Sequence, residues 1–277
     1  MTSRELSRFV RGVFVAAAML AGCGGSQPPI GGPGAMPQTS AIATHADRGK
    51  SWMLPEAKSE DLLYVTNYSK VLVFTYPQGK LVGKLHGFFS AAGACVDSKG
   101  DVFVTNYKPT IVYEYAHGGT KRIASFSTNK AGTIGCAINP VNGDLAITGL
   151  SSYVEIFKGA RGKPTAIRDK TMWFGSFATY DSKGDLFFLG LRSPKGRQHL
   201  SELPSGSTHF VDLNADARIY DEGGIQWDKG YLTALSWVPF DSKQRTTELF
   251  RFRVTGTAAR KVDAMPLNKP ADVVLQY

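Results

Sequence analysis

Short runs of apolar residues, separated by turns, fill the chain from residue 61 to its end. Residues 93–126 form a complete unit, with apolar runs at 93–97, 102–105, 111–115 and 122–126 and with Gly, Pro and Asp between them. Short runs bounded by turn residues are typical of antiparallel hairpins. Because no helical period fits the unit, it predicts a four-stranded antiparallel sheet.

The unit recurs at a nearly constant spacing. Its second strand opens at residues 61, 101, 144, 185 and 231, so that successive openings are 40 to 46 residues apart. The matching stretches read DLLYVTNY, DVFVTNY, GDLAITGL, GDLFFLGL and KGYLTALSW. A repeated four-stranded unit of this length is the sequence signature of a β-propeller, in which neighbouring blades bury the faces of each other's sheets.

The two ends of the repeat region complement each other. The unit that opens at Asp61 lacks a first strand, and the chain ends with residues 271–277, ADVVLQY, which have the pattern of one. We therefore predict an all-β propeller of five four-stranded blades, in which the C-terminal strand completes the first blade. The alternative is six blades, or an incomplete sixth, with residues 51–55 supplying additional edge structure.

The first residues of the chain predict export. Residues 1–22 contain three arginines and then an apolar run, 13–20, which is too short to span a bilayer. The stretch Leu20-Ala21-Gly22-Cys23 resembles the bacterial lipobox, in which the leader is removed before the cysteine and the cysteine is acylated. This resemblance implies a signal peptide over 1–22 and a lipidated, palmitate-bearing Cys23. Two or three acyl chains are sufficient for stable membrane anchoring.

Residues 23–60 are predicted to be the lipidated cysteine and a flexible tether, because the segment is rich in Pro and Gly and poor in large apolar residues. The alternative is that Trp52, Met53 and Leu54 already belong to the folded domain and pack on its side. The propeller domain is predicted over 61–277. The resulting location is the cell envelope, on the periplasmic face, the outer membrane or the cell surface.

Composition limits the classes of partner. The chain has 277 residues, of which 43% are apolar, so it has ample material for a core. Its net charge of +9 is spread along the sequence. Because no basic cluster is interleaved with aromatic residues, the charge does not indicate a nucleic-acid site.

The repeats over residues 61–277 resemble the bacterial propeller lipoproteins of the broad NHL-repeat and gluconolactonase-like group. The resemblance rests on the blade pattern and implies the fold. Some members of that group are metal-dependent lactonases or lyases whose sites lie at one mouth of the central channel. The lactonase pattern requires a Glu, an Asn and an Asp from inner strands, and no full set can be matched here. We therefore expect no metal and no cofactor; a metal-dependent hydrolase or lyase is the alternative function.

Two loops have the composition of metal sites, Asp97–Asp101 and Asp181–Asp185, which both read DSKGD. They lack the third-position Asp and the distal Glu of a calcium loop. An Asp before a turn that contains Gly commonly accepts hydrogen bonds from its own backbone, so we expect both to be turns. The five histidines show no paired ligand spacing, which favours turn or surface positions for them.

The candidate for binding is a surface. In a propeller the loops between second and third strands share one face with the links between blades. Amides beside exposed aromatic rings suit sugars or peptides, because rings stack on the ligand while amides orient it. The candidate residues are Asn67, Tyr68, Asn106, Tyr107, Trp173, Asp221 and Glu222. Three further aromatic residues of the links, Phe88, Phe89 and Phe174, are expected in the core between blades.

Two cysteines remain if Cys23 is acylated. Cys95 and Cys136 lie in the predicted innermost strands of consecutive blades, and their distances from the following turns place them on opposite faces of their sheets. Inner strands converge near the axis, and oxidation is expected in an exported domain. We predict a disulfide between them; two buried thiols are the alternative.

Together these features predict a membrane-anchored envelope lipoprotein whose propeller serves as a binding or interaction module. The expected partners are membrane lipid, through Cys23, and a carbohydrate, a peptide or an envelope protein.

Overall fold

The computed structural model describes residues 49–129, 133–193, 198–219, 224–239 and 245–266. The predicted leader, Cys23, Asp221, Glu222 and the C-terminal strand 271–277 lie outside these residues. The described chain is all-β apart from two short 3-10 turns, Pro55–Lys58 and Lys158–Ala160. Within these ranges, no helix is long and apolar enough to cross a membrane.

The first unit contains strands β1 (Trp52–Met53), β2 (Leu62–Thr75) and the beginning of β3 (Leu81–Val96). Strand β2 folds back on itself as a hairpin, because the amide of Tyr76 donates to the carbonyl of Asp61 at 2.7 Å and Tyr68 takes a positive φ of 39° near its tip. The beginning of β3 pairs with the second half of β2, and β1 adds to the outside of the same stretch.

The start of the folded domain lies before residue 61. Trp52 pairs with Lys84, and the Leu54 amide donates to the Val82 carbonyl at 2.8 Å. Ala57 is fully buried. The predicted tether, 23–60, therefore extends too far at its C-terminal end. Trp52 to Leu54 belong to the folded domain and pack on its side, as in the alternative prediction.

The remaining units are regular antiparallel sheets. The second contains the end of β3 and then β4 (Val102–Asn106), β5 (Ile111–Tyr115) and β6 (Arg122–Ser127). The third contains β7 (Gly135–Ile138), β8 (Leu145–Thr148), β9 (Tyr153–Phe157) and β10 (Thr165–Arg168). The fourth contains β11 (Phe174–Tyr180), β12 (Leu186–Leu191), β13 (Gln198–Leu203) and β14 (Val211–Ala215). The fifth contains β15 (Ile225–Asp228), β16 (Tyr231–Pro239), β17 (Arg245–Thr255) and β18 (Ala258–Pro266), and β14 pairs in parallel with β18.

The hydrophobic core lies between successive sheets. One cluster joins Val71 and Leu85 of the first unit to Tyr115 of the second, and another joins Phe103 of the second unit to Phe157 of the third. Two further clusters join the third unit to the fourth and the fourth to the fifth. Since the sheets of the second, third and fourth units are each packed on both faces by their neighbours, the arrangement is propeller-like.

The repeated sequence also makes repeated hydrogen bonds between units. The threonine of each VTN or AIT stretch donates its hydroxyl to a carbonyl in the inner strand of the next unit or in the residue just before that strand. The bonds run from Thr66 to Ala92 (2.8 Å), from Thr105 to Ile134 (2.9 Å) and from Thr148 to Ser176 (2.7 Å). Each satisfies a carbonyl at a sheet-to-sheet contact, so the spacing of the units is encoded in the repeat.

The repeated aspartates fix the turns at one end of the sheets, which we call the turn face. The carboxylates of Asp101, Asp144 and Asp185 accept hydrogen bonds from backbone amides of the loops between the third and fourth strands, at His117, Gly159 and Ser205. The opposite end, which we call the linker face, comprises the turns 67–69, 106–110 and 149–152 and the links 87–90 and 169–173.

Candidate functional site

A channel of about 550 Å³ runs between the inner strands. It is lined by the end of β3, by β7, β11 and β15, and by residues 61–66 at the start of β2. The other four units line the channel with their first strand, whereas the first unit lines it with the beginning of β2, which corresponds to the second strand of the repeat.

Two of the acidic residues at the channel, Asp97 and Asp181, are engaged in turns. Oδ1 of Asp97 accepts from the amides of Lys99 and Asp101, both at 2.9 Å. Oδ1 of Asp181 accepts in the same way from Lys183 and Asp185. The expectation that both DSKGD loops are self-capped turns is confirmed. Across the described ranges, no three His, Cys, Asp or Glu side chains are grouped so as to hold a metal ion.

Cys95 and Cys136 are joined by a disulfide in the channel wall, with their Cα atoms 5.7 Å apart. The bond links the inner strands of the second and third units. Their backbones approach so closely that a Cβ at Gly93 would lie 2.4 Å from the Ile134 carbonyl oxygen. A side chain at Gly93, two residues before Cys95, would therefore prevent the two inner strands from lying as close together as they do at the disulfide.

Asn106 lies inside the domain and not on a ligand face. It is 1% exposed. Its Oδ1 accepts from the amides of Phe89 (3.0 Å) and Ser90 (3.1 Å), and its Nδ2 donates to the carbonyls of Lys108 (2.8 Å) and Pro109 (3.3 Å). The amide thus ties the link between two units to the turn after β4 and has no free group to orient a ligand.

The aromatic residues of the linker face divide into buried and exposed rings. Phe88 and Phe174 are buried, as expected, but Phe89 is 58% exposed, so its assignment to the core was wrong. Phe89 packs beside Tyr68, which is also exposed, with the ring centroids 6.3 Å apart. Asn67 is exposed next to this pair, whereas Tyr107 is partly buried.

Trp173 is exposed in the link before β11. Its ring packs on Phe174 with the centroids 4.6 Å apart, and 38% of the residue remains exposed. The Trp173 amide donates to the Leu191 carbonyl at 2.7 Å, which fixes this link against the end of β12. The indole is therefore held on a rigid backbone with part of its surface open.

The link that carries Trp173 also contributes to a polar network: Thr171 precedes Trp173 by two residues, and Arg192 follows Leu191, whose carbonyl accepts from the Trp173 amide. Asp212 is the centre of this network. Its Oδ2 accepts from Arg192 at 2.6 Å, and its Oδ1 accepts from Thr171 and from Nε2 of His199, both at 2.9 Å. A second carboxylate, that of Asp169, is buried and accepts from the backbone amide of Thr171 and from the hydroxyl of Ser201.

The electrostatics of the network favour an ionised Asp212. Burial acts to raise the pKa of this carboxyl, but the hydrogen bonds from His199 and Thr171 and the nearby charge of Arg192 outweigh it and lower the pKa below its ordinary value. The site therefore presents fixed hydrogen-bonding groups and, on the link that carries Thr171, a partly exposed aromatic ring, a combination that suits a sugar.

Sequence reasoning identified Trp173 but missed its polar neighbours. Arg192, His199 and Asp212 are up to 20 residues apart, and the pairing of β13 with both β12 and β14 brings them together. The order of the residues along the chain carries no signal for this pairing register.

Comparisons with known proteins bear on the fold. No family model and no curated protein matches the chain. Among solved structures it is similar to hydrazine synthase of Kuenenia stuttgartiensis, with 12% identity and a TM-score of 0.57 over 82% of this chain and 70% of that one. It is also similar to a structure of a nidogen/laminin complex, with 14% identity and a TM-score of 0.60 over 76% of this chain and 77% of that one. The chain is thus an all-β protein of β-propeller-like fold.

Proposed function

We propose that the protein is a membrane-anchored envelope lipoprotein whose propeller binds carbohydrate at Trp173. The observation that carries the binding proposal is a partly exposed indole whose backbone pairs with Leu191, on a link that also contributes Thr171 to the network of Arg192, Asp212 and His199. Carbohydrate-binding sites stack a sugar ring on an aromatic face and orient its hydroxyls by fixed polar groups. The lipobox supplies the anchoring proposal.

The first test of the binding proposal is titration of the purified protein with oligosaccharides of hexoses and of N-acetylhexosamines, monitored by calorimetry. Trp173→Ala should abolish the binding heat, and Arg192→Ala should reduce it. Ile123→Ala is a matched control, because Ile123 is also exposed but lies on the outer strand β6. Binding to peptides instead of sugars, or binding that is unaffected by Trp173→Ala, would refute the carbohydrate site.

The fold proposed for this module is a ring of five blades that the C-terminal strand closes. Two features support it: residues 61–66 border the channel, and no described strand pairs with the inner edge of β2. Residues 271–277 have the apolar pattern and the length to pair there.

Deletion of residues 271–277 tests this closure. It should lower the unfolding midpoint far more than deletion of residues 27–33 from the predicted tether. Equal midpoints for the two deletions would exclude closure by this strand.

A further inference from the structure

We propose that the edge of the linker face around Tyr68 and Phe89 rests on an anionic membrane surface. This inference rests on the proposed anchoring at Cys23 and adds an orientation to it: the edge of the linker face that the first and second units form is turned toward the bilayer. The Trp173 site belongs to the same face but lies on a different link, between the third and fourth units.

The first argument is the exposed aromatic pair. Tyr68 is 55% exposed and Phe89 is 58% exposed, and the two rings lie 6.3 Å apart. The backbone beneath them is held firmly, since Asn106 accepts hydrogen bonds from the amides of Phe89 and Ser90. Amphipathic aromatic rings concentrate at the boundary between lipid headgroups and acyl chains.

The second argument is the charge around the pair. Residues 67–70, 86–90 and 106–110 contain Lys70 and Lys108 but no Asp or Glu. Lys108 is exposed beside the pair's neighbour Tyr107, with its Nζ 5.6 Å from that ring centroid. Anionic lipid would attract this surface.

The third argument is the place where the chain joins the domain. The amide of His86 donates to the hydroxyl of Ser51 at 2.8 Å, and His86 is three residues from Phe89. From Ser51 the chain continues along β1 toward the turn face. The preceding residues, which connect to Cys23, therefore reach the domain beside the linker face.

The connection to Cys23 is short enough that even a weak contact between the domain and the membrane would be occupied. Residues 23 to 49 are 26 residues apart, and a flexible chain of that length has a root-mean-square reach of about 28 Å. An anchored domain then experiences the surface at an effective concentration of about millimolar, so a patch too weak to bind alone is still occupied.

The test places a fluorescent reporter on each face of the full acylated chain. Phe89→Trp introduces the reporter on the proposed contact, and Val141→Trp is the matched control, because Val141 is exposed on the turn face. Both variants and the unsubstituted chain, which gives the signal of the four native tryptophans, are reconstituted into vesicles of phosphatidylcholine with or without phosphatidylglycerol. The measured quantity is the quenching by lipids brominated in their acyl chains that each variant shows beyond that of the unsubstituted chain.

Phe89→Trp should be quenched in the anionic vesicles, and Val141→Trp should not. Adding Lys108→Gln should weaken the anionic preference about fivefold, as expected for the loss of one cation at such a surface. Equal quenching of the two reporters would overturn the proposal. So would an indole at position 89 that is already shielded from aqueous acrylamide without vesicles, which would indicate a protein partner or a second copy.

Flotation of the vesicles separates this proposal from the anchoring on which it rests. Protein that fails to float with either kind of vesicle would refute the anchor. Protein that floats without quenching at position 89 would refute the orientation alone.

Discussion

Thr148→Val removes one of the hydrogen bonds that the repeat places between units. The Thr148 side chain is 1% exposed, and its hydroxyl lies 2.7 Å from the Ser176 carbonyl oxygen in the next unit. Valine has nearly the same shape, so the change leaves the packing intact but removes the donor from a buried carbonyl. Such a loss costs about 1–3 kcal/mol.

Urea unfolding measures this cost. With an m-value of about 3 kcal/mol/M, a loss of 2 kcal/mol lowers the midpoint by about 0.7 M. Thr165→Val is the control, because Thr165 is exposed on the outer strand β10 and the same chemical change there removes no bond between units. If Thr148→Val had the midpoint of the wild type, or of Thr165→Val, the hydroxyl would not couple the two units.

Three further outcomes are expected. Asn106→Ala should destabilise the domain by about 2–4 kcal/mol in urea unfolding, because it removes the partners of four backbone groups, whereas Asn67→Ala on the exposed surface should have little effect. Burial, and then the charges of Asp101 and Asp97, raise the pKa of Glu114, so the charged form of this carboxyl disfavours the folded state and stability is lost as the pH rises above 4.5. Glu114→Gln should make this loss smaller when the unfolding midpoint is measured against pH, and an unchanged slope would contradict the prediction. Mass spectrometry of unreduced protein from the envelope should show the Cys95 and Cys136 peptides linked, and complete alkylation of both thiols would exclude the bond.

The repeat made most of the strands predictable. Strand β5 has the predicted bounds, Ile111–Tyr115, because turn residues limit it on both sides. Strand β3 was not predicted as one element, because it joins the last strand of one unit to the first strand of the next. The continuity depends on Asn106, which holds the link between them in an extended conformation.

The candidate site was less predictable, because it depends on contacts between distant residues. Consecutive residues of an extended segment point to opposite sides, so Phe88 and Phe89 could not both be buried in one core. That signal was present in the sequence. The burial of Asn106 and the cluster around Asp212 had no such signal, since both follow from the pairing of strands and the path of the links.

The burial of Ala57 in the turn 55–58 also had no sequence signal. The stretch Pro-Glu-Ala-Lys is polar, yet Ala57 is fully buried, and its carbonyl oxygen would be 2.4 Å from a Cβ at Gly118. Ala57 and Gly118 are both small, and this permits the two backbones to lie in contact. Composition alone assigns such a segment to a tether.

The N-terminal residue of the mature protein tests the central claim, which is that this propeller is anchored in the cell envelope by lipid. Intact-mass and peptide analysis of protein extracted from membranes should show a chain that begins at Cys23 and carries a diacylglyceryl group on its sulfur, with residues 1–22 absent. A chain that begins at any other residue, or an unmodified Cys23, would contradict the account.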